Sequence, residues 1–298
     1  MMKHALGVAH VVTVCCGFAA QDLSAAQGFR GTVVGEGVIS TSGDDVFPAL
    51  NADASVLFFS RVKDGRGWSD QILMMSRRVD GAWRAPEVLS FSGGEFSDRA
   101  PRPNGDGSRL YFTSNRPLPG TAGSHDPRVF NLWAAEREGH GWSAPEPLPA
   151  PFTSPLSEIH SSMDAEGTVY FASNREGGMG RSDIYAVKHS ADGYGQAVNL
   201  GAPINTEHSQ PDLFVSGDGR MMILAVTDHP DGFGGDDLYV SYRRGDEWTE
   251  PVNLGPEVNT PEYEYGPFLS GGYLYFSSHG FGSGNVYRIR LDEIPAIK

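Results

Sequence analysis

Five acidic or amide side chains recur along the chain at nearly even intervals, and residues of these types can bind cations or transfer protons. They lie 53, 60, 52 and 54 residues apart and are Asp45, Asp98, Glu158, Gln210 and Glu264. We call this set the acidic column. Carboxylates that converge raise each other's pKa values unless a cation or a basic group relieves them, and such oxygen ligands suit a divalent cation. The alternative is structural, with each carboxylate accepting backbone N–H bonds.

The positions two residues beyond the acidic column differ from one unit to the next. They hold Phe47, Ala100, His160, Asp212 and Gly266. In a repeat protein, a structural position should hold the same type of residue in every unit, whereas a site for an asymmetric ligand should not. Glu158, His160 and Asp212 therefore form the best combination for a ligand site or an acid–base site. The alternative is that these side chains line a solvated channel. The predicted ligand-binding residues are Asp45, Asp98, Glu158, His160, Asp212, Glu264 and Trp68, whose ring could stack on a sugar or a peptide.

The sequence gives little support to catalysis. It contains no Gly-x-Ser-x-Gly nucleophile elbow and no His-Glu-x-x-His zinc motif. Glycosidases built as a ring of five small β-sheets, or blades, use two or three carboxylates that face the central channel of the ring. A glycoside hydrolase or polysaccharide lyase using Glu158, His160 and Asp212 is therefore the alternative function. Because one acid per repeated unit favours architecture, we predict no catalytic residue and no cofactor, unless a divalent cation occupies the channel.

Each acidic residue opens a unit of short apolar runs separated by turn-forming clusters. The second run of each unit reads LFFSR (57–61), LYFTSNR (110–116), VYFASNR (169–175), MILAVTD (222–228) and LYFSSHG (274–280). Runs rich in Val, Ile, Tyr and Phe between Gly, Asp, Asn and Ser clusters are typical of β-strands. Several such strands in each unit of roughly 40–50 residues are typical of a β-propeller. The sequence predicts an all-β protein, a single propeller of five blades with four antiparallel strands each.

The fifth unit ends at Leu291 without the closing phrase of the other units, of which GDEWTEPVNL (245–254) is an example. A strand-like segment, GTVVGEGVIST (31–41), precedes the first unit. We expect this segment to join the last blade and close the ring, which leaves no long exposed sheet edge. The predicted propeller spans 27–298, with units at about 44–89, 97–148, 157–200, 209–254 and 263–291 plus the closing strand 31–41.

Residues 1–26 have the features of a signal peptide, with an apolar stretch at 5–20 and small residues at 24–26. The two cysteines, Cys15 and Cys16, lie within it, so thiol catalysis and disulfides are not expected in the mature protein. The formal net charge of −14 disfavours nucleic acid and anionic membranes as partners. We predict a periplasmic or secreted monomer without membrane insertion.

Motifs in the third and fourth units carry a resemblance to a known family. They are Asn199-Leu200-Gly201 with Ile204-Asn205-Thr206, Asn253-Leu254-Gly255 with Val258-Asn259-Thr260, and Ser182-Asp183-Ile184-Tyr185. They resemble the WD-like propeller repeats of TolB-type periplasmic proteins, and most closely the repeats that accompany OmpA-like peptidoglycan-binding domains. The resemblance implies a binding or interaction scaffold in the cell envelope, whose partner is an envelope protein, a peptide or a glycan. The irregular loop 116–130 is then a candidate recognition loop.

Overall fold

The computed structural model describes residues 28–63, 69–121 and 126–297. Antiparallel sheets form the five blades of a propeller, and a short 3-10 helix follows at Leu291–Glu293. The predicted fold class is therefore confirmed. The predicted signal peptide at 1–26 and Trp68 lie outside the described residues. No helix in the described ranges has the length and apolar character needed to cross a membrane.

The first strand of each blade contacts the first strands of its neighbours, and we call it the inner strand. Blade 1 has strands Asp45–Leu50, Val56–Val62, Gln71–Val79, Ala82–Trp83 and Glu87–Val88. Blade 2 has Asp98–Pro103, Arg109–Ser114, Asn131–Glu138, Gly141–Trp142 and Glu146–Pro147. Blade 3 has Glu158–Met163, Val169–Ser173, Asp183–Val187 and Val198–Asn199, with a hairpin of His189–Ser190 and Gly193–Tyr194. Blade 4 has Asp212–Val215, Met221–Thr227, Asp236–Arg244, Glu247–Trp248 and Val252–Asn253.

Blade 5 combines both ends of the described chain. Its strands are Glu264–Ser270, Tyr273–Ser278 and Asn285–Arg290, and Thr32–Val33 pairs antiparallel with the last of these. The N-terminal strand thus closes the ring, as predicted. It is shorter than the predicted 31–41 because Gly35 and Gly37 adopt positive φ angles of 59° and 74° and turn the chain away.

The apolar core lies between the blades rather than in one central mass. Five clusters of the described residues join neighbouring blades, for example through Phe58 with Phe112, Leu132 with Phe171, Ile184 with Leu224, Ile223 with Phe276, and Phe59 with Tyr275. The cluster of Ile223 and Phe276 also includes Val46, Phe47 and Ala100 of the inner strands of blades 1 and 2. Alternate residues of a strand point to opposite faces, so each second and third strand supplies apolar side chains to both neighbours. This packing fixes the inner strands, and with them the residues that surround the channel.

Candidate functional site

The acidic column lies at or just before the start of the inner strands and is sealed from solvent. All five side chains expose 0% of their surface. In three blades the carboxylate pairs with an arginine near the end of the second strand. The pairs are Arg61 with Asp45, Arg116 with Asp98, and Arg175 with Glu158. Arg116 and Arg175 also donate to carbonyl oxygens of the segments that lead into their blades, at 2.8 and 2.9 Å. Each pair therefore fastens a blade to the segment that enters it.

Glu264 is held by hydroxyl and N–H groups. It accepts the Thr260 backbone N–H at 2.7 Å, the Thr260 hydroxyl at 2.7 Å and the Ser278 hydroxyl at 2.6 Å. Gln210 takes the equivalent place in blade 4, where its Nε2 donates to Thr206 Oγ1 at 3.0 Å and its Oε1 faces the Thr206 N–H at 3.5 Å. An uncharged amide thus takes the same place as the carboxylate, which indicates that negative charge is not what this position requires.

This geometry supports the structural alternative for the acidic column. Burial raises the pKa of Glu264 to about 7. Burial also raises the pKa of Glu158, opposed by hydrogen bonds from Ser154 and Arg175. The expected mutual repulsion of converging carboxylates is not the main cause, because each acid is partnered by groups near its own blade. In the described part of the chain no group of three His, Cys, Asp or Glu side chains is placed to hold a metal ion.

Four of the varied positions share a backbone conformation rather than a side chain. Phe47, Ala100, His160 and Gly266 have φ angles of 56°, 51°, 49° and 66°, and each lies where the register of the inner strand shifts. The backbone N–H groups of Phe47, Ala100 and His160 donate to the hydroxyls of Ser277, Ser60 and Thr113 in the neighbouring blade, at 2.8, 3.0 and 3.1 Å. A backbone donor can come from any residue, so the variation of side chains here is not by itself a sign of a ligand site.

Asp212 does not belong to this set, which corrects the alignment made from the sequence. The inner strand of blade 4 runs without a register shift, and Asp212 pairs with Ala225 as Val46 pairs with Ser60 in blade 1. Ala225 has no hydroxyl to offer to the next blade. The carboxylate replaces it, because Asp212 Oδ2 accepts the Gly266 N–H at 2.6 Å. Asp212 therefore performs an architectural task whatever else it does.

His160 and Asp212 nevertheless meet at the centre of the ring, with 3.6 Å between Nδ1 and Oδ1. His160 Nδ1 also lies 2.8 Å from the carbonyl oxygen of Pro211, and because a carbonyl only accepts, this nitrogen carries the proton. Burial, followed by the charge of Arg99, holds the pKa of His160 well below its usual value. Burial raises the pKa of Asp212 to about 6, opposed by Arg102. The pair therefore consists of a neutral imidazole and a carboxyl group whose pKa lies above its ordinary value.

Glu158, the third member of the predicted combination, faces a different set of groups. Its Oε1 accepts the Ser154 hydroxyl at 2.8 Å and the Ser173 hydroxyl at 3.2 Å, beside the Arg175 ion pair. Among the described residues no hydrogen bond or ion pair joins Glu158 to His160 or Asp212. The structure thus brings together two of the three residues.

Arg102 also lies at the centre of the ring, and the sequence analysis did not single it out. Its Nη1 donates to the carbonyl oxygen of Pro48 at 3.3 Å and its Nη2 to that of Pro267 at 3.2 Å, so the guanidinium ties blade 2 to blades 1 and 5. Nη2 lies 3.9 Å from Asp212 Oδ1. The guanidinium carbon is 5.7 Å from the ring centroid of Phe268. The side chain is only 7% exposed.

The sequence contained one signal for Arg102. The equivalent inner-strand positions of the other blades hold Ala49, Ser162, Phe214 and Phe268. A charged side chain is costly to bury unless its hydrogen-bonding groups are used. One arginine in an otherwise uncharged column therefore marks this position.

A cavity of about 580 Å³ opens beside Arg102, at the end of the channel where inner strands turn into second strands. Five aromatic side chains of the described residues line it, namely Tyr111, Phe152, Tyr194, Phe214 and Phe268. The rings of Phe214 and Phe268 meet edge to face, with their centroids 5.3 Å apart. The hydroxyl of the lining residue Ser161 has no hydrogen-bond partner within the described ranges. The volume is that of a small-molecule site.

The charged residues that line the cavity are Arg102, Arg109 and Asp164. Arg109 forms an exposed ion pair with Glu136 at 3.3 Å. Asp164 Oδ1 accepts backbone N–H groups of its own turn, including that of Thr168 at 2.9 Å. Asp164 is thus engaged locally, and in the part of the chain that the structure describes Arg102 is the one deeply buried cation of the lining.

The Gly-rich loops between second and third strands are held by their final aspartates. Asp183 accepts the N–H groups of Met179 and Gly180 at 2.6 and 2.8 Å, and Asp237 accepts those of Phe233 and Gly234 at 2.5 and 3.1 Å. These aspartates are structural. Of the predicted recognition loop 116–130, residues 122–125 lie outside the described residues, as does the stacking candidate Trp68.

No family model matches this chain, and no curated protein matches it. A solved glycoside hydrolase is 10% identical with a TM-score of 0.59, covering 88% of this chain and 91% of that one. The catalytic domain of the Coprinopsis cinerea GH62 α-L-arabinofuranosidase is 10% identical with a TM-score of 0.52, covering 88% and 97%. Both likenesses show a shared fold. A Mycobacterium tuberculosis puromycin-hydrolyzing peptidase is 14% identical with a TM-score of 0.46, covering 69% of this chain and 28% of that one, so the chain spans less than a third of that protein's length.

Proposed function

We propose that this propeller is a binding protein of the cell envelope that holds a saccharide in the cavity beside Arg102 and does not cleave it. One observation carries the proposal: the ring buries its repeated carboxylates completely, yet leaves open a cavity with aromatic walls. A protein that keeps its acids for architecture and presents aromatic and hydroxyl groups at the channel end is suited to binding.

The chemistry of the cavity favours a saccharide as the ligand. The aromatic rings of Phe214, Phe268, Tyr111 and Tyr194 offer apolar surfaces on which the C–H face of a sugar ring can pack. The unpartnered hydroxyl of Ser161 and the guanidinium groups supply the few polar contacts that orient a ligand in such a pocket.

Hydrolysis needs groups that the cavity does not offer. Glycosidases place two carboxyl groups roughly 5–9.5 Å apart on either side of the bond to be cleaved. Among the described residues, Asp164 is the one acidic residue of the cavity lining, and its Oδ1 is engaged by backbone N–H groups. Asp212 is 1% exposed and lies against Arg102. Binding without cleavage therefore fits the geometry better.

A glycoside hydrolase remains the second candidate, and one observation favours it. Asp212 has a pKa raised to about 6 and lies 3.6 Å from His160, so a proton donor stands in the channel. Such an enzyme would need this part of the channel to open to the substrate.

The cellular location in this proposal comes from the sequence. The signal-peptide features of residues 1–26 and the resemblance to TolB-type repeats support a periplasmic or secreted monomer. An envelope glycan is then the natural source of the saccharide, in place of the envelope protein or peptide partner that the sequence also allowed.

The test is a glycan array, followed by calorimetric titration of any saccharide that binds to the purified protein. Phe214→Ala and Phe268→Ala should each weaken binding about tenfold or more, on the order of the energy of a buried aromatic contact. Phe233→Ala, in a loop between second and third strands at the other end of the blade, is the control and should bind normally. Binding that survives both cavity variants would refute the site. Release of new reducing ends that is lost in Asp212→Asn would establish the hydrolase instead.

A further inference from the structure

Two guanidinium groups lie at the centre of the ring, although the chain as a whole has a formal net charge of −14. Arg99 and Arg102 lie there beside the carboxylate of Asp212 and the neutral His160, and the charge of Asp212 also acts on the largely buried Asp236. The charge of Asp212 acts on both guanidinium groups. Arg99 is stacked on Phe130, with its guanidinium carbon 3.8 Å from the ring centroid. Of these two guanidinium groups, that of Arg102 lines the cavity.

The hydrogen-bonding capacity of Arg102 is only partly used. Its guanidinium donates to three carbonyl oxygens, those of Pro48, Pro101 and Pro267, at 3.2–3.5 Å. Its Nε is buried and has no partner among the described residues. The nearest carboxylate oxygen, on Asp212, is 3.9 Å away, beyond hydrogen-bond distance. A guanidinium has five N–H donors, so three carbonyl acceptors among the described residues also leave one terminal N–H free to donate to a ligand in the cavity.

We propose that the saccharide bound in the cavity is acidic, and that Arg102 binds the carboxylate of a uronic acid unit. This inference rests on the proposed function, because it names the ligand class of the same cavity. The planar guanidinium matches the two oxygens of a carboxylate. The single charge of the Arg102 guanidinium suits a monoanion better than a phosphate ester, which carries about −1.5 to −2 at neutral pH. Phe268 lies beside the guanidinium and Phe214 beside Phe268, so the acidic group and the sugar ring have adjacent places.

The experiment compares pairs of probes that differ only at the carboxyl group. The trisaccharides of galacturonate, glucuronate and mannuronate are titrated calorimetrically into the purified protein, each beside its carboxyl-reduced counterpart. One uronate should bind about tenfold or more tightly than its reduced counterpart, as expected for hydrogen bonds to a charged group. Raising the salt concentration should reduce that ratio only slightly, because a buried contact is poorly screened.

The variant Arg102→Met should abolish the difference between uronate and reduced probe without weakening the reduced probe more than about twofold. Arg102→Lys keeps the charge but loses the planar fork and should retain a small part of the difference. Arg84→Gln, an exposed arginine outside the cavity lining, is the control. Because Arg102 also ties three blades together, the comparison of probes on the unaltered protein decides the question if these variants fail to fold.

The outcomes separate this inference from the proposed function. Equal binding of a uronate and its reduced counterpart would overturn the acidic-ligand inference and leave a saccharide-binding protein. Absence of binding by any saccharide on the array would overturn both. Binding of an acidic peptide that depends on Arg102, with no uronate binding, would also overturn the saccharide assignment while placing the anion site at the same arginine.

Discussion

Replacing Glu264 by Gln should change how the stability of the protein depends on pH. Burial raises the pKa of this carboxyl group from its ordinary 4.5 to about 7. Between these two pH values the unfolded chain has lost the proton while the folded chain retains it. The contribution of this group to the free energy of unfolding therefore falls as pH rises through this window and is constant outside it. The fall amounts to roughly 3 kcal/mol, at about 1.4 kcal/mol for each pH unit of the window. A glutamine at this position does not titrate and lacks the fall.

The natural Gln210 shows that an amide can occupy this kind of site, where its Nε2 donates to the Thr206 hydroxyl, whereas Glu264 accepts from the Thr260 hydroxyl. Near pH 4, Glu264→Gln should lower the free energy of unfolding by about 1 kcal/mol, because Ser278 loses one hydrogen-bond acceptor. Near pH 8 the free energy of unfolding of the variant should be higher than that of the wild type by roughly 2 kcal/mol. Urea unfolding followed by tryptophan fluorescence across this range measures the difference. The reverse exchange, Gln210→Glu, should acquire the pH dependence that Glu264→Gln loses. A difference between Glu264→Gln and the wild type that does not vary with pH would refute the reasoning.

Three further exchanges test the architecture by urea unfolding. Gly180→Ala should lower the free energy of unfolding by roughly 2–3 kcal/mol, because a Cβ there would lie 2.2 Å from the carbonyl oxygen of His208. The control Gly217→Ala has open space around it and should change stability little. Equal losses of stability in the two variants would contradict the contact. Asn205→Ala should lower the free energy of unfolding by roughly 2–4 kcal/mol, since Asn205 is fully buried and hydrogen-bonds both the N–H and the C=O of Ile184 in the third strand of blade 3. A loss under about 1 kcal/mol would show that these two hydrogen bonds are dispensable. Phe29→Ala should lower the free energy of unfolding by about 2 kcal/mol and speed proteolysis of the N-terminal segment, because Phe29 packs against three aromatic rings of blade 5. An unchanged rate of proteolysis would argue against a role for this segment in closing the ring.

The sequence was sufficient for the fold because the information repeats. Five similar second strands and four closing phrases predict the five blades, and the missing fifth phrase predicts closure by the N-terminal strand, which the pairing of Val33 with Tyr287 confirms. Its length was overestimated because periodicity does not register the glycine turn that follows Val34. The acidic column was found, and its structural alternative fits the geometry, since the arginines that seal it lie in the same repeated motif, as Arg116 and Arg175 do.

The site was less accessible to sequence reasoning for two physical reasons. The missing bulge in blade 4 is a property of backbone register, which no residue type announces, so Asp212 was aligned one position away from its true equivalent, Val46. The cavity depends on distances between blades that the repeat does not specify. Arg102 alone could have been recognised, as the one charged residue in an uncharged inner-strand position.

Variation within a repeat is therefore informative only when it is clear which group does the repeated work. At the bulge position the backbone N–H does that work, so Phe47, Ala100 and His160 can differ without any functional reason. At the position of Arg102 the side chain fills the channel, and a change from Ala, Ser or Phe to Arg adds a charge that must be buried. Its carbonyl partners accept only part of its N–H groups, and its Nε has no partner in the described chain. An apolar side chain would fill this part of the channel more favourably if filling space were the only requirement, because removing a charge from water costs free energy. The anionic ligand that we propose would offset that cost by accepting a hydrogen bond from the guanidinium.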